Sequence, residues 1–269
     1  MRLCGYEWTG ERHIGRVLDD GSIMPVAPVN VFYADTAGFL AKAAVDSGER
    51  VSADATMRPA VPKSARVPCV GLNYKAHAAE GNLPIPDRPV IFGRFAASLA
   101  VDGDAIPRFD EQTDWEGELA VVVGRPLLRA SPDEARGAIL GYAVFNDVSA
   151  RSFQFHSSQW SLGKNGDNSG IMGAIVTADE TGDPADGWRL LTRVNGAVMQ
   201  DTLTSDMIFP VPEILSYLSQ AMTLNPGDIV PTGTPSGVGL ARTSPQFLRA
   251  GDEVEVSIDA LGTIRNRVN

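Results

Sequence analysis

Two glutamates stand two positions apart at the entrance to a run of five apolar residues. Glu116 and Glu118 lead into residues 119–123, whose length and β-branched content predict a buried strand. Side chains two apart on a strand point to one face, so this pattern places two carboxylates together beside buried sequence. Buried like charges repel each other and cost free energy unless something offsets them. The fold must therefore bring a cation or solvent to this end of the strand.

A divalent cation is the simplest offset. Asp147, at the end of the apolar segment 139–145, offers a third carboxylate. Three carboxylates without a nearby cysteine suit Mg2+ or Mn2+ better than Zn2+. On the residues alone, an acidic strand start exposed to solvent stays open as an alternative, because carboxylate patterns are less specific than cysteine and histidine patterns.

The composition limits the classes of partner. The chain has 269 residues, of which 43% are hydrophobic and 21% charged, as in ordinary globular proteins. Its net charge is −10 and it has no basic cluster, which argues against nucleic acid and against anionic membranes as partners. No apolar run approaches the roughly 18 residues needed to span a bilayer, and residues 1–10 lack a signal-peptide core. We therefore expect a soluble cytoplasmic protein.

The turn pattern divides the chain into two predicted domains. Residues 1–62 read as short strands and a short helix over 39–47, and the prolines near residue 60 mark the boundary. Domain 63–269 is rich in strands, with helices predicted from Ser131 to about residue 140 and over 211–218. The strands of this domain are predicted at 66–70, 90–92, 118–123, 142–145, 171–176, 190–194, 228–231, 253–258 and 263–268. The class is α+β, with a mixed or mostly antiparallel sheet.

Three further features carry candidate chemistry. His77 and Glu80 share one face of a predicted helical turn, where a carboxylate beside an imidazole makes a general base. The alternative is a chance pair on an exposed turn. The Gly- and Thr-rich loop 232–239 follows a strand and can offer backbone N–H groups to an anion, although it is also consistent with an ordinary turn. Lys164 and Arg94 can each bind a carboxylate or lie on the surface.

The ordered set of these motifs resembles the fumarylacetoacetate hydrolase family. The resemblance covers residues 67–268, and it implies the family's mixed β-sheet roll with a small N-terminal α+β domain, usually as a homodimer. The matching segments are 70–74 with His77 and Glu80, 114–122, 141–142, 146–151 with Gln154, 160–164, 194–196 with Gln200, 206–209, 224–228, 232–235 and 251–254.

The resemblance also implies roles for individual residues. The implied Mg2+ or Mn2+ ligands are Glu116, Glu118 and Asp147. The implied catalytic residues are His77, Glu80 and Lys164, and the implied substrate-binding residues are Arg151, Gln154 and Thr234.

The sequence departs from the family pattern at three places. Arg94 stands where the family often has Lys, and Ser152 stands where it often has Asp. Residues 165–173 replace a segment that often contains an aromatic residue and a proline. A guanidinium binds a carboxylate with two hydrogen bonds, so Arg94 is predicted to bind substrate and to favour a dicarboxylic acid.

The resemblance implies an enzyme that acts on a small keto acid through a metal-stabilised enolate. Hydrolysis of a carbon–carbon bond in a 2,4-diketo acid, of the acylpyruvate or fumarylacetoacetate type, is favoured because His77 and Glu80 can activate water. An oxaloacetate-type decarboxylase and a hydroxymuconate-type isomerase would use the same enolate. A non-catalytic metal-binding scaffold is the alternative of another class, and it is disfavoured because all the site residues are present.

Overall fold

The computed structural model describes residues 1–52 and 54–269. Short strands and short helices alternate along this part of the chain. The strands are β1 (Arg2–Trp8), β2 (Glu11–Val17), β3 (Ile23–Pro28), β4 (Thr56–Arg58), β5 (Arg66–Gly71), β6 (Val90–Phe95), β7 (Leu99–Val101), β8 (Thr113–Asp114), β9 (Gly117–Val123), β10 (Ile139–Asp147), β11 (Ser149–Ala150), β12 (Gly170–Met172), β13 (Ile175–Thr177), β14 (Arg189–Val194), β15 (Ala197–Leu203), β16 (Ile229–Pro231), β17 (Glu253–Ile258) and β18 (Gly262–Arg267). The α-helices are α1 (Val29–Ala34), α2 (Thr36–Ala43), α3 (Lys75–Glu80), α4 (Pro132–Arg136), α5 (Arg151–Gln154), α6 (Ser161–Lys164), α7 (Ala178–Thr181) and α8 (Val211–Ala221), and 3₁₀ turns cover Ala96–Ser98, Pro184–Asp186 and Thr204–Asp206.

One large sheet organises the molecule. Its strands run in the order β16-β9-β10-β13-β1-β2-β3, with β12, β7 and β4 attached at its sides. Most neighbours are antiparallel, and the β7–β12 pair is parallel. A second sheet has the order β15-β14-β17-β18, and the pairs β5–β6 and β8–β11 stand apart from both. The predicted α+β class with a mixed sheet is confirmed.

β9, next to the edge strand β16, is buried on both of its faces. Leu119, Val121 and Val123 pack in one hydrophobic cluster with residues of β14, β17 and α8. Ala120 and Val122 face the opposite cluster, which includes residues from the N-terminal part of the chain. A strand buried on both faces needs apolar residues at every position, which explains the unbroken run after Glu118.

The N-terminal strands extend the large sheet. β1 pairs with β13, with Arg2 opposite Val176 and Leu3 opposite Ile175. The sheet therefore continues across the predicted boundary between residues 62 and 63, and that boundary stays a prediction. Among the described residues, no helix has the length and apolar character needed to cross a membrane.

Several element bounds differ from the sequence predictions. The helix that starts after Ser131 ends at Arg136, because Gly137 closes it and β10 begins two residues later. The strand predicted over 171–176 is two strands, β12 and β13, because Gly173 lies between them and donates to Val144 O of β10 at 2.8 Å. β15 was not predicted, because its side chains are largely exposed and lack an apolar period.

Candidate metal centre

Glu116, Glu118 and Asp147 meet where β9 begins and β10 ends. The antiparallel register places Phe145 opposite Glu118 and Asn146 opposite Gly117. Asp147 N then donates to Glu116 O at 2.9 Å, which extends the pairing by one residue. One oxygen from each carboxylate lies within 4.8 Å of the other two, and all three residues are buried. Glu116 and Glu118 point to the same side because side chains two apart on a strand share a face.

Gly117 lets this strand approach the second sheet closely. A Cβ at Gly117 would lie 2.1 Å from Thr192 Oγ1 of β14. Gly117 N donates to Gln200 Oε1 of β15 at 2.9 Å. A larger residue between the two glutamates would push β9 away from β14 and shift both carboxylates.

Buried cations surround two of the three carboxylates. Lys164 Nζ lies 2.7 Å from Glu116 Oε2 and 2.7 Å from Asp147 Oδ2. Arg94 Nε donates to the other oxygen of Asp147. Glu118 Oε2 accepts from Gly233 N at 2.9 Å. Within residues 1–52 and 54–269, Glu118 has no ion-pair partner, so its charge is the one left unbalanced.

The surroundings move the pKa values of these groups in opposite directions. Burial raises the pKa of Glu118 well above 4.5, and the charges of Asp147 and Glu116 raise it further. Burial also opposes ionisation of Glu116, but the charges of Lys164 and Arg151 outweigh it and lower its pKa to about 2, with a smaller contribution from His77. Burial would lower the pKa of Lys164, yet Asp147 and Glu116 raise it on balance.

These residues fit a hard divalent cation. The three carboxylates supply only oxygen ligands, the set that Mg2+ and Mn2+ prefer. The unbalanced charge of buried Glu118 is the feature that a cation would neutralise. Glu116, Glu118 and Asp147 are therefore the residues that would hold the metal.

His77 and Glu80 form a hydrogen-bonded pair on α3. His77 Nδ1 lies 3.2 Å from Glu80 Oε2, and both side chains are largely but not fully buried. Asn73 anchors the start of this segment, because its side-chain nitrogen donates to Thr232 O at 2.7 Å. Since a carboxylate can only accept, Nδ1 is the donor, and when the ring is neutral its Nε2 keeps a free lone pair.

The loop from Thr232 to Leu240 gives its backbone N–H groups to three carboxylates of the protein itself. Gly233 N donates to Glu118, and Gly237 N donates to Glu80 Oε1 at 3.0 Å. Gly239 N and Leu240 N donate to Asp114 at 2.8 and 3.0 Å. The sequence left open an anion-binding loop or an ordinary turn, and the anions that this loop binds are protein carboxylates. This loop thus contacts both Glu118 on β9 and the His77–Glu80 pair on α3.

Asp114 supports the site through its contacts, and the sequence interpretation did not single it out. It is fully buried and accepts from Arg151 Nε at 2.8 Å as well as from the loop. Its position directly before Trp115 and Glu116 was the only signal in the sequence. Asp114 fixes Arg151, whose Nη1 lies 2.6 Å from Glu116 Oε1 and 2.9 Å from Gln154 Oε1.

The predicted substrate-binding residues differ in the donors they have left. Arg151 Nη2 is buried and, among the described residues, makes no hydrogen bond, although it lies 2.8 Å from Asp114 Oδ2. Thr234 Oγ1 donates to Gly117 O at 2.9 Å and accepts from Gln200 Nε2 at 2.7 Å, so it can only accept from a ligand. Arg94 has protein acceptors for all five of its N–H groups. Contrary to the prediction, Arg94 therefore has no donor left for a substrate carboxylate.

The fold is that of the fumarylacetoacetate hydrolase family, as the match to a solved structure of this fold shows. The chain belongs to this family. The family model described as fumarylacetoacetate (FAA) hydrolase C-terminal matches residues 66–269. Members of the family with known activities include tautomerases, hydrolases and isomerases.

Three relatives illustrate the range. The protein named oxaloacetate tautomerase FAHD2A, mitochondrial, of Bos taurus is 41% identical over 230 residues, which are 80% of this chain and 73% of that protein. The structure of the fumarylacetoacetate hydrolase of Exiguobacterium antarcticum matches with a TM-score of 0.86 and 32% identity, over 100% of this chain and 99% of that one. The structure of fumarylpyruvate hydrolase from Pseudomonas aeruginosa in complex with Mn2+ and pyruvate matches with a TM-score of 0.71 and 29% identity, over 81% of this chain and 93% of that one.

Proposed function

We propose that this protein is a divalent-metal-dependent enzyme that interconverts the keto and enol forms of oxaloacetate. The observation that carries the proposal is the buried cluster of Glu116, Glu118 and Asp147 beside Lys164. The similarity to a relative named as an oxaloacetate tautomerase supports the choice of substrate. This choice replaces hydrolysis, which the sequence favoured, as the first candidate.

Keto–enol exchange requires one proton to leave carbon and another to reach oxygen. A Mg2+ or Mn2+ ion bound by the three carboxylates would stabilise the negative charge that develops on the 2-oxo oxygen. His77 takes the C3 proton through Nε2 as the C3–H bond breaks, and Glu80 stabilises the resulting imidazolium. Lys164 lies beside the same carboxylates and supplies positive charge near the 2-oxo oxygen. That oxygen takes its proton from water, and His77 releases the C3 proton to water, so the exchange leaves the protein unchanged.

Substrate carboxylates need donors that the protein does not already use. Arg151 Nη2 is such a donor, because its contact with Asp114 Oδ2 at 2.8 Å can use only one of its two N–H groups. Gln154 accepts a hydrogen bond from Arg151, and Thr234 lies in the loop from Thr232 to Leu240 that also binds Glu118. We therefore assign Arg151, Gln154 and Thr234 to substrate binding. We propose no such role for Arg94.

The second candidate is hydrolysis of a 2,4-diketo acid. The His77–Glu80 pair favours it, because an imidazole paired with a carboxylate can activate water as well as carbon. The similarity to a fumarylpyruvate hydrolase gives further support.

Parallel assays of two substrates distinguish these candidates. Protein with Mg2+ is given enol-oxaloacetate, followed by its ultraviolet absorbance, and acetylpyruvate, followed by release of pyruvate and acetate. We expect rapid loss of the enol absorbance and little pyruvate from acetylpyruvate. The Glu116→Ala variant at the same metal concentration corrects for catalysis by free metal ions. Hydrolysis of acetylpyruvate without any acceleration of the oxaloacetate reaction would make the second candidate the correct one.

A further inference from the structure

We propose that Arg94 is a positioning residue, which holds Asp147 in place for the metal. This inference rests on the proposed function, because it assigns Asp147 as a metal ligand. It gives Arg94 a role that differs from the substrate contact expected from its sequence.

Arg94 is enclosed entirely by the protein. Its side chain is 0% exposed, and Nε donates to Asp147 Oδ1. Nη1 donates to Ser169 Oγ at 2.7 Å and to Ser98 Oγ at 3.2 Å. Nη2 donates to Val148 O at 2.8 Å and to Ser169 O at 3.2 Å. Five acceptors for five N–H groups leave this guanidinium in a single orientation.

This orientation divides the two oxygens of Asp147 between two cations. Oδ1 accepts from Arg94, and Oδ2 accepts from Lys164 at 2.7 Å. A carboxylate held at both oxygens cannot rotate, yet each oxygen keeps a second lone pair that can face a cation. Residues that orient a metal ligand in this way raise metal affinity by preorganising the site.

Two of the departures from the family pattern form one structural unit here. Arg94 replaces a common lysine, and Ser169 belongs to the segment that replaces an aromatic residue and a proline. Asn165 of the same segment accepts from Phe95 N at 2.6 Å and donates to Gly93 O at 3.1 Å, on either side of Arg94. A lysine has all three donors on one atom and cannot reach these separated acceptors together. We therefore infer that Arg94 and Ser169 depend on each other.

Mn2+ binding to the metal-free protein tests this role, with calorimetry as the readout. We expect Arg94→Lys to weaken Mn2+ affinity by about 10- to 100-fold, the usual effect of losing a residue that orients a metal ligand. Ser169→Ala should weaken it by less, and the double variant should resemble Arg94→Lys because the two residues are coupled. The KM for oxaloacetate at saturating metal should stay close to that of the wild type. Arg189→Lys, at an exposed ion pair with Asp201, is the matched control and should change neither quantity.

The outcomes separate the two proposals. Unchanged Mn2+ affinity together with a raised KM in Arg94→Lys would identify Arg94 as a substrate-binding residue and overturn the positioning role. If that variant does not fold, Ser169→Ala decides alone, because it keeps every charge, and unchanged Mn2+ affinity would again overturn the role. Failure of the wild type to bind Mn2+ would instead refute the proposed metal dependence.

Discussion

Glu118 carries the unbalanced charge of the site. Asp114, Glu116 and Asp147 each contact at least one buried cation, whereas Glu118 contacts only a backbone N–H group among the described residues. Its own burial and its two acidic neighbours make its ionisation costly. A metal ion would convert that cost into binding free energy, and this coupling makes the metal-free protein sensitive to pH.

Replacement of Glu118 by glutamine tests this cost. The folded-state pKa of Glu118 is raised above 4.5, so the protonated side chain adds no cost to folding below pH 4.5. As pH rises through the raised pKa, the free energy of unfolding of the metal-free wild type falls. Glutamine does not ionise and still accepts from Gly233 N. We expect the free energy of unfolding of Glu118→Gln to exceed that of the wild type by about 1–2 kcal/mol at alkaline pH, and to converge with it at acidic pH.

Urea unfolding in the presence of a chelator, measured across pH, gives this comparison. Glu213→Gln on the exposed face of α8 is the matched control and should follow the wild-type profile. Identical profiles of unfolding free energy against pH for the wild type and Glu118→Gln would show that ionisation of Glu118 does not destabilise the folded protein.

Individual site residues were predictable where spacing determines direction. The period of two placed Glu116 and Glu118 on one face, and the helical spacing paired His77 with Glu80. The role of Arg94 was not predictable, because its acceptors on Asp147, Val148 and Ser169 are distant in sequence. Only the folded chain shows that no donor of Arg94 remains.

At the level of elements, the loop from Thr232 to Leu240 is the link between the two halves of the site. Its N–H groups bind Glu118, Glu80 and Asp114, which belong to different elements. Gly237 has a φ of +102°, and a Cβ there would lie 2.0 Å from Met199 O. Glycine at this position therefore lets the loop hold the His77–Glu80 pair close to β9.

Gly237→Ala tests this link. The added Cβ must displace the backbone, so the hydrogen bond from Gly237 N to Glu80 is lost or lengthened. We expect kcat to fall about 10- to 100-fold, since misplaced catalytic groups lose rate steeply. Gly251→Ala, with a φ of +91° and open space around it, is the control and should lower stability by about 1 kcal/mol without changing kcat. Equal kcat values for the two variants would contradict a role of the loop in catalysis.

Elements were predictable in proportion to their burial. The apolar run of β9 and the face of α8 carry their period in the sequence, and both elements were found. β15 has mostly exposed side chains, and its strand geometry follows from pairing with β14, which the local sequence does not encode. The end of α4 was placed too late, because the apolar residues after Gly137 belong to β10.

For the whole molecule, the N-terminal part is built into the sheet and the core. Leu3, Ile14 and Phe32 are fully buried in the same cluster as Ala120 and Val122 of β9. The sequence indicated a separate unit because turns and prolines divide it from the rest. Continuity of a sheet through β1 and β13 is a long-range pairing that composition cannot show.

Deletion of residues 1–62 should therefore prevent stable folding of the remainder. Each large apolar side chain removed from this core contributes about 1.5–3 kcal/mol, and several of them together approach the total stability of a domain, which is about 5–15 kcal/mol. We expect residues 63–269 alone to lack a cooperative thermal transition by circular dichroism. A transition as sharp as that of the full chain would show that the predicted boundary separates independent domains.

We propose that the protein is a homodimer, as the family resemblance implies. Phe95, Phe155 and Leu162 are 67%, 59% and 63% exposed, and exposed apolar side chains of this size favour association. Light scattering should give twice the chain mass of 28.6 kDa. A mass equal to that of one chain would contradict the proposal.

The dependence of oxaloacetate tautomerisation on a divalent cation and on Glu118 tests the central claim most directly. Stopped-flow absorbance follows the decay of enol-oxaloacetate with chelator-treated wild type and Glu118→Gln, before and after addition of Mn2+. We predict that Mn2+ restores fast decay with the wild type. With Glu118→Gln, the decay should stay near the rate that Mn2+ alone gives in buffer without protein. Fast decay with the metal-free wild type, or an equal response of both proteins to Mn2+, would contradict the account.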